Sequence, residues 1–125
     1  MLLNWLDTRL AKLGLAVAAI GITVLALIPG KEVPVTTGWD KTDHWSAFFT
    51  LALLVTHAFP QASFWRRIVP ALIAYGIGIE IAQALTPDRS ADWHDVVADA
   101  IGVFGYGAIA HLVQRLRQAF VSESG

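Results

Sequence analysis

The 125 residues are 55% hydrophobic and 15% charged, against about 25% charged in ordinary soluble domains, and the mean hydropathy is +0.55. A net charge of −1 with no basic tract offers nucleic acid nothing to hold, and the absence of cysteine excludes disulfides, thiolate nucleophiles and Cys-ligated zinc. One small domain is expected, with membrane lipids as its surroundings.

Residues 1–12 come first, with Leu2, Leu3, Leu6 and Leu10 at helical spacing beside Trp5. This pattern predicts a short amphipathic segment lying in the headgroup region. Arg9 and Lys12 then precede an apolar run over 13–29. The run is long for a signal-peptide core, and its one good small-x-small site, Ala16 to Ala18, comes too early for cleavage. A retained first helix is therefore expected. Further apolar stretches cover 44–59, 68–86 and 93–113, each near the ~20 residues that cross a ~30 Å hydrocarbon core. Only the first lacks polar interruptions. Period-two alternation is missing throughout, so strands are not expected. The fold class predicted is all-α: a four-span helical bundle over 13–113, followed by a cytoplasmic tail at 114–125.

Lys and Arg set the orientation. Arg9, Lys12, Arg66, Arg67, Arg115 and Arg117 fall on one side of this topology, and Lys31, Lys41 and Arg89 on the other. Both termini are expected on the cytoplasmic side of a bacterial inner membrane. Trp5, Trp39, Trp45, Trp65 and Trp93 lie near span ends, where an aromatic belt belongs.

The polar residues converge on the outer side. Asp40, Lys41, Asp43 and His44 open the second span, and helical spacing puts Asp40, Lys41 and His44 on one face. Glu80 and Gln83 lie near the outer end of the third, and Arg89 stands in the following loop. Asp92, Asp95, Asp99, Gly102 and Tyr106 form a stripe along the fourth span. Asp92, Pro87, Ser46 and Ser90 have adequate readings as cap, turn or packing residues. His57 and His111 lie away from the group, and His94 turns off its face. Gly76, Gly78, Gly102, Gly105 and Gly107 predict close helix approaches. A carboxylate deep in a bilayer costs about 2.5–3.5 kcal/mol, so Glu80 and Asp99 should face the bundle, with Arg89 or Lys41 as ionic partner. The expectation is a polar pocket centred on Glu80, Arg89 and Asp95 and lined by Asp40, Lys41, His44, Gln83 and Asp99.

Three segments in order resemble the VanZ-like family of small bacterial membrane proteins. "DKTDHWSAFF" is similar to its D-K-x-x-H opening through Asp40, Lys41 and His44. "EIAQ" is similar to its E-x-x-Q element through Glu80 and Gln83. "PDRSADWHDVVADAIGVFG" is similar to its R-x-x-x-x-x-D-x-x-x-N-x-x-G segment through Arg89, Asp95 and Gly102, with Asp99 where the pattern has Asn. The resemblance covers about 39–110. It implies a helical membrane protein with a cell-envelope role, in a family whose namesake is associated with resistance to the glycopeptide teicoplanin.

Two functional classes follow, beside a third in which the polar residues merely hold helices together in a structural or interaction protein. One is binding or processing of a lipid-linked envelope precursor headgroup, where the surplus of acids opposes a bare anion. The other is an acid–base or metal-dependent enzyme. His44, Glu80 and Asp95 are its candidate catalytic groups, and with Asp99 they suit Mg²⁺ or Mn²⁺ better than structural zinc. Four helices leave little room for a channel without homo-oligomerisation.

Overall fold

The computed structural model describes residues 5–28, 40–87 and 90–125, excepting the side chains of 5, 6 and 40. Helix α1 spans Trp5–Leu27, α2 Asp40–Ala58, α3 Val69–Ala84 and α4 Trp93–Ser124, with no strand among the described residues. A π-helical turn, Phe64–Ile68, leads into α3. Ser63 opens that turn by accepting the Arg66 N–H at 3.4 Å. Pro70 occupies the first turn of α3, where a missing N–H costs nothing.

Successive helices run antiparallel. Gln83 near the end of α3 reaches Ala26 near the end of α1, and Lys41 at the start of α2 reaches Asp92 at the start of α4. At the opposite end, the Lys12 ammonium sits over the Phe59 ring. Helix α2 packs most extensively on α4 and α1. Its Phe48, Leu51 and Ala52 are buried, together with Leu72 and Ile79 of α3 and Val103 and Tyr106 of α4. Tyr106 also meets Phe49 edge-on at 5.6 Å.

Apolar side chains also point outward: Val17, Ile20, Ile81 and Ile101 are exposed. In lipid that surface is solvated, not stranded. Segments Asp7–Leu27, Phe64–Ala84 and Trp93–Ser124 are long and apolar enough to cross a membrane. The four-span expectation thus meets three such segments. Helix α2 falls short because Asp40, Lys41, Asp43 and His44 occupy its first turns, and it is the helix the others surround.

Three boundaries differ from expectation. Helix α1 runs unbroken through residue 12, so the described part of the N-terminal segment, from Trp5, shares one helix with the apolar run as far as Leu27. Nothing in that sequence, such as Pro or a Gly pair, would break it. The third apolar element starts earlier than 68, through the π turn, and its helix stops at Ala84. The tail at 114–125 continues α4 as helix through Ser124, and residues 111–124 are exposed.

The glycines divide by environment. A Cβ on Gly102 would run into the Trp45 carbonyl of α2, and one on Gly76 would come within 2.6 Å of Asp99 Oδ2. Gly107 makes similar room for the Phe64 ring, whereas Gly78 and Gly105 have nothing within 4 Å of that position. The small-residue seam is therefore Gly76, Gly102 and Gly107. Gly78 and Gly105 lie off it because their angles around the helix face outward.

Candidate functional site

Among the described residues, six polar side chains from α2, α3 and α4 with its N-cap meet at the end of the bundle where α2 begins, α3 ends and α4 begins. Lys41 and His44 are three residues apart, so one face of α2 presents both. Lys41 is an odd choice there, since a cation in a first helical turn opposes the positive end of the macrodipole. Its partners explain it. The ammonium bonds Asp92 Oδ2 at 3.0 Å and also pairs with Asp95 Oδ1.

His44 lies between two acids of α4. Its Nδ1 is 2.8 Å from Asp99 Oδ1, and its Nε2 is 3.5 Å from Asp95 Oδ2. Asp95 is 5% exposed and Asp99 1%. Glu80 enters from α3, 6% exposed, with Oε2 accepting the Asp92 backbone N–H at 2.8 Å. Its other oxygen, Oε1, is buried and meets no hydrogen-bond donor among the described residues. One ligand atom each from His44, Glu80 and Asp95 lie within 4.8 Å of one another.

Asp92 is more than the cap assigned to it from sequence. It caps α4 by accepting the His94 N–H at 3.0 Å, holds Lys41 with its other oxygen, and gives its own N–H to Glu80. The His94 backbone bond, then the side-chain bonds from Lys41 and His94, hold its carboxyl well below the usual carboxylate range. It stays ionised at neutral pH. The available signal was its three-residue spacing from Asp95, which puts both acids on the face that Lys41 needs.

Gln83 departs from expectation. It is buried, but its amide donates to the Ala26 carbonyl at 3.1 Å, away from the cluster. That carbonyl belongs to the last turn of α1 and has no partner within the helix, so Gln83 ties α3 to α1. His94 is exposed, stacked on Trp93 with its Nδ1 on Asp92. His57 bonds the Leu53 carbonyl of its own helix, and His111 is exposed. Arg89, expected at the centre, and the Asp40 side chain lie outside the described residues.

Among the described residues the cluster holds four carboxylates, Glu80, Asp92, Asp95 and Asp99, against the Lys41 ammonium and the imidazoles of His44 and, at its rim on Asp92, His94. A family model described as VanZ/LLP1 matches residues 11–114. No curated protein and no solved structure matches the chain.

Proposed function

This chain belongs to the VanZ/LLP1 family, and from that we propose a multi-pass protein of the bacterial cytoplasmic membrane. Its acidic cluster forms an outward-facing pocket for the polar headgroup of an envelope lipid or lipid-linked cell-wall precursor. The observation that carries this reading is the convergence of Lys41, His44, Glu80, Asp92, Asp95 and Asp99 within an apolar bundle. Interhelical hydrogen bonds in membranes average only about 0.6 kcal/mol, against about 2.5–3.5 kcal/mol to bury one carboxylate at mid-bilayer. Holding helices together is a poor return for four of them.

The orientation rests on charge. Arg9 and Lys12, Arg66 and Arg67, and Arg115 and Arg117 belong to the end of the bundle opposite the cluster, and basic residues favour the cytoplasmic side. Both termini are then inside, with α2 crossing under cover of the other helices. The surplus of acids suits a headgroup held by its hydroxyl or amino groups, or through a bridging cation. The association of the family's namesake with teicoplanin resistance agrees with an envelope role.

Two measurements test this. The chain has no native cysteine, so Ser90→Cys gives a single reporter beside the cluster. It should react with a membrane-impermeant maleimide on spheroplasts; labelling confined to inverted vesicles refutes the topology. Native mass spectrometry of the purified protein should show a co-purifying envelope lipid that Glu80→Gln/Asp95→Asn loses at equal accumulation. The same lipids on both proteins would leave the cluster a helix clamp. His44, oriented by Asp99 between two further carboxylates, favours a second reading: an acid–base enzyme acting on that headgroup. A chemically altered headgroup formed by the wild type alone identifies it.

A further inference from the structure

We infer that the last turns of α4, from Ile109 to Phe120, dock on the anionic phospholipids of the leaflet at that end of the bundle. This surface is remote from the acidic cluster and does not require the headgroup reading of it.

Ile109, Leu112, Val113, Leu116 and Phe120 recur at three- and four-residue steps, so they form one stripe along the helix. His111, Gln114 and Gln118 lie on the opposite side. Arg115 and Arg117 flank the stripe, roughly 100° to either side of its centre. No acid lies between Asp99 and Glu123. Apolar in the middle, cationic at both edges and polar behind is the make-up of a helix that binds a membrane surface.

The bundle leaves this stripe open. Residues 111–124 are exposed, and Phe120 keeps 75% of its surface. Val113, Leu116, Phe120 and Val121 line a shallow groove with Arg117 at its edge. The same end carries Lys12, Arg66 and Arg67, and none of the three meets a carboxylate among the described residues. Trp65, exposed and stacked on Phe104 of α4 at 5.8 Å, sits there as an interfacial tryptophan does. The charge at this end is the complement of an anionic leaflet.

Length brings the stripe to the lipid. The 32 residues of α4 measure about 48 Å, against about 40–45 Å for a bilayer with its headgroups. Neither proline nor glycine lies between Gly107 and Gly125, so the helix continues without a kink. A tilt of about 20–35°, within the range of membrane helices, fits it between the two surfaces. The tail then leans into the headgroup layer with its stripe towards the acyl chains. Arg115 and Arg117 reach out to phosphate oxygens from either edge. A second copy is the poorer occupant. Two chains in one orientation pair their tails in parallel, which sets Arg115 of one beside Arg117 of the other, like charge against like.

The test places one full-length chain per nanodisc of phosphatidylcholine brominated on its acyl chains, with or without phosphatidylglycerol. The chain has no native cysteine, so Ala119→Cys beside the stripe and Gln118→Cys on the opposite side each carry a single bimane label. With phosphatidylglycerol present, bromine should quench the Ala119→Cys label and spare the Gln118→Cys label. Omitting phosphatidylglycerol or raising the salt should reverse the quenching. Each basic residue near an anionic surface contributes about fivefold. Arg115→Gln/Arg117→Gln should therefore lower the docked-to-free ratio about 25-fold, and Arg115→Lys/Arg117→Lys should retain it. Both arginines are exposed and meet no partner among the described residues, so these changes leave the bundle intact. Equal quenching of the two labels overturns the proposal, as does quenching that ignores phosphatidylglycerol or survives the double Gln variant. An Ala119→Cys label that stays unquenched in every lipid overturns it in favour of a protein partner. Shielding that needs two chains per disc does so in favour of a second copy. The acidic cluster is unchanged in all these variants, so the result does not turn on what that cluster binds.

Discussion

Replacing Gly102 with alanine should destabilise the protein by about 3 kcal/mol or more, at the upper end of what overpacking costs. The new Cβ would meet the Trp45 carbonyl and stand 2.9 Å from the Phe49 nitrogen. Both are backbone atoms of α2, so no side chain can swing aside; the helices must part. Trp45 follows His44 in sequence, and Gly102 lies one turn beyond Asp99, so parting the helices there also pulls His44 from Asp99. Gly105→Ala is the control, because nothing lies within 4 Å of its Cβ position. That change should be neutral or stabilising by up to about 1 kcal/mol through helix propensity. Thermal unfolding of both in one detergent checks the pair. Equal losses would mean that α4 tolerates no added methyl anywhere and that the Trp45 contact is nothing special.

Lys41→Met carries the second large effect. Removing one partner of a buried ion pair costs about 3–5 kcal/mol. Lys41 keeps 29% side-chain exposure while Asp95 keeps 7%, so we expect about 2–3 kcal/mol. Two competing effects have the opposite sign or none. Methionine matches lysine in helix propensity, and losing a cation from the first turn of α2 relieves the dipole. A net loss therefore reports on the acids left behind. Lys41→Met/Asp95→Asn should recover at least half of it, which makes the coupling readable as a double-mutant cycle. Wild-type stability in Lys41→Met, or a further loss in the double variant, would show that Asp95 does not depend on Lys41.

Much of this was legible in the sequence because apolar chains spend charge sparingly. Glu80, Asp95 and Asp99 inside greasy helical runs had to face inward, and they do. Lys41 and His44 were readable from their spacing. Other features depended on neighbours that no periodicity reveals. Gln83 shares a face with Glu80, yet sits about 60° round the helix, enough to turn it to the α1 carbonyl. Asp92 read as a cap because capping alone is sufficient reason for an Asp there; its bonds to Lys41 and Glu80 come from two other helices. The π turn at Phe64–Ile68 has no pattern of its own. Asp99, standing where the family pattern has Asn, meets the His44 imidazole of α2 at 2.8 Å, a neighbour that spacing along α4 does not reveal.

Mechanically, α4 is a beam held at two points. Gly102 seats it on the α2 backbone and Gly107 on the Phe64 ring. From Gly102 to Asp95 is an arm of roughly 10 Å, and from Gly107 to Ser124 an arm of roughly 25 Å. The longer arm stands exposed. A sideways load on it is borne first where α4 is seated, at Gly107 against the Phe64 ring. What grips the tail bears on that seat.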